Sequence, residues 1–183
     1  WFEDFILFHR SLGVREMTSI ERDIGARRRI EENKPFFNIT VHYKSASRVL
    51  PRLDWKRRHF VWLDYEDALS TDILFDLRTV VDRGVSGTVI AISVPCKRAR
   101  EVEETEADHN GPSAIERFLN AFGRERVRPN VTEAQLYGWP FGSLSRRMLK
   151  AEIQAGLAVR NSAAEREDIL SFKPICDIEY DDG

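Results

Sequence analysis

Three polar segments each follow directly on an apolar run, and these are the places where the chain could do chemistry. Glu21 comes after Ile20, Lys44-Ser45-Ala46-Ser47 after the run ending at Tyr43, and Asp64-Tyr65-Glu66-Asp67 after Phe60-Val61-Trp62-Leu63. A carboxylate at Glu21 or Asp64 accepts hydrogen bonds from hydroxyls or amines. It serves as a base where burial raises its pKa. The acids of residues 64–67 stand close enough to raise one another's pKa or to share a hard divalent cation. No second acidic pair at another strand end supports a metal, so none is expected. His9, His42, His59 and His109 lack metal-ligand spacing.

Two further segments have unusual composition. Lys44 to His59 holds Lys44, Arg48, Arg52, Lys56, Arg57 and Arg58 against the single acid Asp54, with Trp55 among them. Such a patch could grip a nucleic-acid backbone, although a solvated helix or loop face explains it as well. Gly138-Trp139-Pro140-Phe141-Gly142 places two large aromatics in what reads as a loop. A lid or docking segment is one reading and core packing the other.

Periodicity indicates what would position these groups. Apolar residues at Phe2, Phe5, Ile6, Phe8 and Leu12 predict a helix ended by Gly13. A short strand runs from Val14 to Glu21, and a charged helix from Asp23 to Asn33. Phe36–Tyr43 and Phe60–Leu63 read as strands rich in β-formers. A helix with Leu69, Ile73, Leu74, Leu77, Val80 and Val81 on one stripe follows, capped by Ser70 or Thr71. Thr88–Val94 is the clearest strand, stopped by Pro95. Continuous apolar runs suggest strands covered on both faces, and strands separated by helices predict a parallel sheet. Beyond Pro95, Glu101 to Asp108 reads as an exposed acidic loop. Ala114–Phe122, Thr132–Tyr137 and Ser143–Val159 read as helical. Pro174–Tyr180 reads as a last strand, with Asp181-Asp182-Gly183 as a hairpin turn.

At 183 residues the chain fits a single domain over 1–183, with a helical and loop insertion at about 101–159. A chain of this length hides roughly 70% of its unfolded surface. Hydrophobic residues at 42% and charged ones at 32% describe a globular protein. A net charge of -2 argues against a dedicated DNA-binding domain. No apolar run is long enough for a membrane helix, and no secretory signal pattern is seen. Cys96 and Cys176 are widely spaced and read as buried free thiols. The cytoplasm is the expected compartment.

In an open parallel sheet, ligands bind beyond the carboxyl ends of the strands. With its polar residues there, the chain resembles class I S-adenosylmethionine-dependent methyltransferases. Met17-Thr18-Ser19-Ile20-Glu21 and Trp62-Leu63-Asp64-Tyr65 look closest to an uncharacterised O-methyltransferase-like group. The resemblance implies a doubly wound, mostly parallel Rossmann-like α/β sheet with an antiparallel C-terminal strand. It also implies a domain truncated at both ends, because the family's glycine-rich first loop is not found before Glu21. By the same resemblance, S-adenosylmethionine is the cofactor. Glu21, next to Ile20, matches the acid that holds the ribose hydroxyls. Ser45, Ala46 and Ser47 match the segment bordering adenine. Asp64 matches the acid beside the methyl-transfer site and cofactor, with Tyr65 following it.

Two functions from different classes fit. One is methyl transfer from S-adenosylmethionine to an oxygen or nitrogen acceptor, with catalysis coming mainly from alignment of donor and acceptor. The other is a catalytically inactive methyltransferase-like scaffold in a protein or nucleic-acid assembly, using the Lys44–His59 patch.

Overall fold

The structure is a computed structural model that describes residues 2–108, 110–127 and 130–180. His109 and the turn expected at Asp181–Gly183 lie outside the described residues. Two compact units are present, Trp1–Leu53 and Asp54–Gly183.

In the first unit, helix α1 (Glu3–Leu12) ends where Gly13, at φ 67°, donates its N–H to the His9 carbonyl. Glycine suits this left-handed position because it has no Cβ to clash. Strands β1 (Met17–Ile20) and β2 (Ile39–His42) pair in parallel, with Met17 opposite Ile39 and Ile20 opposite His42. Between them Asp23 accepts a hydrogen bond from the Gly25 N–H at 2.8 Å and opens a 3-10 turn. Helix α2 (Arg27–Asn33) continues from it, so the helix expected from Asp23 begins as a tighter turn. The core consists of Phe2, Met17, Ile30 and Ile39, flanked by Phe5, Val14, Phe36 and Val41. A short helix, α3 (Ala46–Val49), follows β2.

The second unit is built on β3 (Phe60–Asp64) and β4 (Val89–Ser93), again parallel, joined through helix α4 (Thr71–Arg83). Ser70 caps α4 by accepting from the Ile73 N–H at 3.4 Å. The stripe Ile73, Leu74, Leu77, Val80 and Val81 is buried. After β4 come α5 (Arg100–Ala107), α6 (Ala114–Phe122) and α7 (Gly138–Asn161). Helix α7 packs on α4. Gly156 makes the close approach possible, since a Cβ there would meet Val81 Cγ1 at 2.8 Å. Arg160 of α7 donates to the Val81 carbonyl at 2.8 Å and the Gly84 carbonyl at 2.6 Å, satisfying the last carbonyls of α4. Glu152, almost fully buried, receives Arg78 at 3.3 Å and Arg126 at 3.2 Å.

Several expectations are corrected. The two strand pairs are compatible with a Rossmann-like arrangement, but the described residues do not form one continuous sheet. Phe60 and Trp62 remain 47% and 48% exposed, whereas Leu63 is buried, so β3 is covered on one face rather than both. The acidic stretch after Arg100 is helix α5, not a loop. Its glutamates are good helix formers, Arg100 pairs with Glu104 one turn away, and Glu101 and Val102 are buried. The aromatic segment at Gly138 is not a loop but the first turn of α7, in which Trp139 stays 47% exposed. Pro140 sits where its missing N–H would have had no helical partner, and Phe141 is fully buried beside Phe118. Residues 169–180 form no strand. Their acids pair instead with α7, through Lys150–Asp177 at 2.5 Å and Arg146–Glu179. Cys176 is exposed and Cys96 partly so, both free, which departs from the burial expected of them.

Candidate functional site

At the carboxyl edge of β1 and β2, the parallel register brings both strand ends level. The Glu21 N–H donates to the His42 carbonyl at 2.8 Å, continuing the ladder one residue past β1. Side chains two apart on extended chain share a face, so Ser19 and Glu21 point the same way. The buried Ser19 hydroxyl donates to Glu21 Oε1 at 2.8 Å. Together with Phe2, Asp4 and Phe5 they line an open cavity of about 290 Å³. This lies just below the range of ligand sites, about 300 to 1,000 Å³. Phe2 has φ 65°, a conformation that non-glycine residues rarely adopt. Its ring is held edge-on by Phe5, with centroids 5.2 Å apart.

Ile20 alternates with these residues, half-buried on the other face of β1. Beyond β2, Ser45 occupies the position before α3 and Ala46 is that helix's first residue. The Ser45 and Ser47 hydroxyls lie 2.9 Å apart in a hydrogen bond. Glu21 and the 45–47 segment thus leave the same edge of one strand pair.

In the second unit the same geometry recurs. Asp64 ends β3 opposite Ser93, which ends β4. The Ser93 hydroxyl donates to Asp64 Oδ1. The Tyr65 N–H donates to the Ser93 carbonyl at 3.1 Å. The Tyr65 phenol turns toward α4 and donates to Asp76 Oδ2 at 3.0 Å. Asp76 is 5% exposed, and its Oδ1 is buried without a hydrogen-bond partner among the described residues. Burial pushes the Asp76 pKa up. Burial and the nearby Asp76 charge likewise raise the Tyr65 phenol well above its ordinary value.

The other candidates fall elsewhere. The basic stretch divides, with Lys44, Arg48 and Arg52 in the first unit and Lys56, Arg57 and Arg58 in the second. All six are exposed. Trp55, however, is buried against the His59 ring at 4.7 Å and offers no face for stacking on a base. His9 bonds the Val14 carbonyl at 2.7 Å, a structural role. Among the described residues no group of three or more His, Cys, Asp or Glu is placed to hold a metal. None of their helices is long and apolar enough to cross a membrane.

Asp76 is not among the residues the sequence points to, and for Ser19 and Ser93 the sequence shows a place at a strand end but no partner. Ser19 stands two residues before Glu21, which places it on the same face. Asp76 stands three residues after Ile73 and four before Val80, inside an apolar stripe where a carboxylate is out of place. Ser93 closes the apolar run that Pro95 stops, but its pairing with Asp64 is not visible, because strand register is not written in a single chain.

A family model described as "Putative O-methyltransferase" matches residues 1–183. The chain belongs to this family. No curated protein and no solved structure matches it. As a member of this O-methyltransferase family the chain is methyltransferase-like, which implies a small-molecule cofactor and a substrate.

Proposed function

We propose that the protein transfers a methyl group from S-adenosylmethionine to an oxygen or nitrogen acceptor. The observation that carries this reading is Glu21, a carboxylate steadied by a buried serine on the wall of an open cavity at the end of a parallel strand pair. A ribose presents two adjacent hydroxyl donors, and a fixed carboxylate accepts both in charge-assisted hydrogen bonds. Ile20 supports Glu21 from the strand, and Ser45, Ala46 and Ser47 border the adenine. The cofactor supplies an electrophilic methyl group on a sulfonium. By the family resemblance Asp64, held by Ser93 at the end of β3, is the acid that would orient the acceptor's hydroxyl or amine, with Tyr65 following it in the turn. In such a site the rate comes chiefly from holding donor and acceptor in line.

The test is calorimetric titration of the full-length protein with S-adenosylmethionine, comparing wild type with Glu21→Ala. Losing charge-assisted hydrogen bonds of about 1.5–3 kcal/mol should weaken binding by roughly 10- to 100-fold. Equal affinity in the two proteins would remove Glu21 from the cofactor site. Absence of binding in both would turn the reading toward a methyltransferase-like scaffold.

A further inference from the structure

From the buried pair at the end of β3, we infer that Asp76 is a positioning residue: by holding the Tyr65 phenol it fixes the Asp64–Tyr65 turn on which the acceptor side of the site depends. The inference rests on Asp64 facing the acceptor, as proposed above.

Three attachments meet in this turn. The Ser93 hydroxyl reaches the Asp64 carboxylate, the Ser93 carbonyl receives the Tyr65 N–H at 3.1 Å, and Asp76 receives the Tyr65 hydroxyl at 3.0 Å. The first two come from β4 and the third from α4, so the turn is tied to two separate elements. Without the third, the Tyr65 ring is free to leave α4, and only one strand neighbour restrains the peptide that follows Asp64.

Packing does not account for a carboxyl at this position. Asp76 stands on the buried stripe of α4, between Ile73 and Val80, with one oxygen bonded and the other buried and unpartnered. A buried acceptor left unmatched costs about 1–3 kcal/mol, whereas an apolar residue there would add to the core. A group kept at the expense of stability, next to a strand end where ligands bind, points to a role in the site.

The test is native-state hydrogen exchange on the full-length protein. Tyr65→Phe removes only the hydroxyl, and Asp76→Ala removes the acceptor. Both should speed exchange of the Tyr65 amide by roughly tenfold or more. The amides of α4 from Leu77 to Val81 should keep their protection. Asp76→Asn retains an oxygen that accepts the phenol and should restore the slow exchange. An unchanged Tyr65 amide in Tyr65→Phe would overturn the inference. So would equal acceleration throughout the second unit, which marks a merely structural tie. Should Asp76→Ala fail to fold, Tyr65→Phe and Asp76→Asn still decide the matter. The readout needs no cofactor, so failure of S-adenosylmethionine to bind would count against the proposed function while leaving this result to stand or fall separately.

Discussion

Burial raises the pKa of Asp76, with Asp72 one turn earlier on α4 adding to the effect and the Tyr65 hydrogen bond opposing it. Unfolded, the group titrates at about 3.9. A folded value above this means that the native state holds the proton more tightly. The carboxyl therefore begins to oppose folding as pH rises past the unfolded value, and does so fully above the folded one. Asp76→Asn is expected to gain on wild type in urea midpoint between about pH 4 and pH 7, with the gain fading below pH 4. A difference independent of pH would show that the carboxyl titrates alike in both states. Glu21 and Asp64 were legible as candidates because an acid ending an apolar run is visible in any sequence. Their partners Ser19 and Ser93 were not, because the bonds joining them arise from side-chain direction and strand register.

Among the elements, α4 carries most of the organisation of the second unit. Its start depends on Ser70, whose hydroxyl takes up an N–H that would otherwise have no partner. Ser70→Ala is expected to lower stability by about 1 kcal/mol, read as a shift in urea midpoint with unchanged slope. Elements with strong periodicity are legible: α1, α6, β1, β2 and β4 fall within their expected segments, and β3 and α4 exceed theirs by one or two residues. The misreadings share a cause. At α5, acidic composition suggests solvation, although Glu101 and Val102 turn inward. At the start of α7, Gly and Pro read as loop punctuation, although the first turn of a helix is where proline does no harm. At Pro174–Tyr180, β-forming residues suggest a strand. A strand also requires a neighbour to complete its ladder, and there the side chains are engaged by Arg146 and Lys150.

On the scale of the whole molecule, each unit has a core of its own. The first is small and leans on Ile30, which α2 delivers fully buried to β1 and β2. Ile30→Ala should cost about 2–5 kcal/mol and speed exchange of the Met17–Ile20 and Ile39–His42 amides. Retained protection would show that the core closes over the gap. Most ion pairs, such as Arg28–Glu32 and Arg98–Glu103, are exposed and hold surfaces in register without adding much stability. The Arg78–Glu152–Arg126 cluster, seated where α7 meets α4, differs in having its carboxylate buried.

The level strand ends have a consequence for how such a protein can diversify. Because Ile20 stops opposite His42 and Asp64 opposite Ser93, each pair ends level, with one further backbone bond from Glu21 and from Tyr65 before the chain leaves the ladder. Lys44, Glu66 and Asp67 stand exposed there, while Ser19, Leu63 and the α4 stripe stay enclosed. Side chains there can therefore be exchanged at little cost to the scaffold beneath, which keeps the two edges in place.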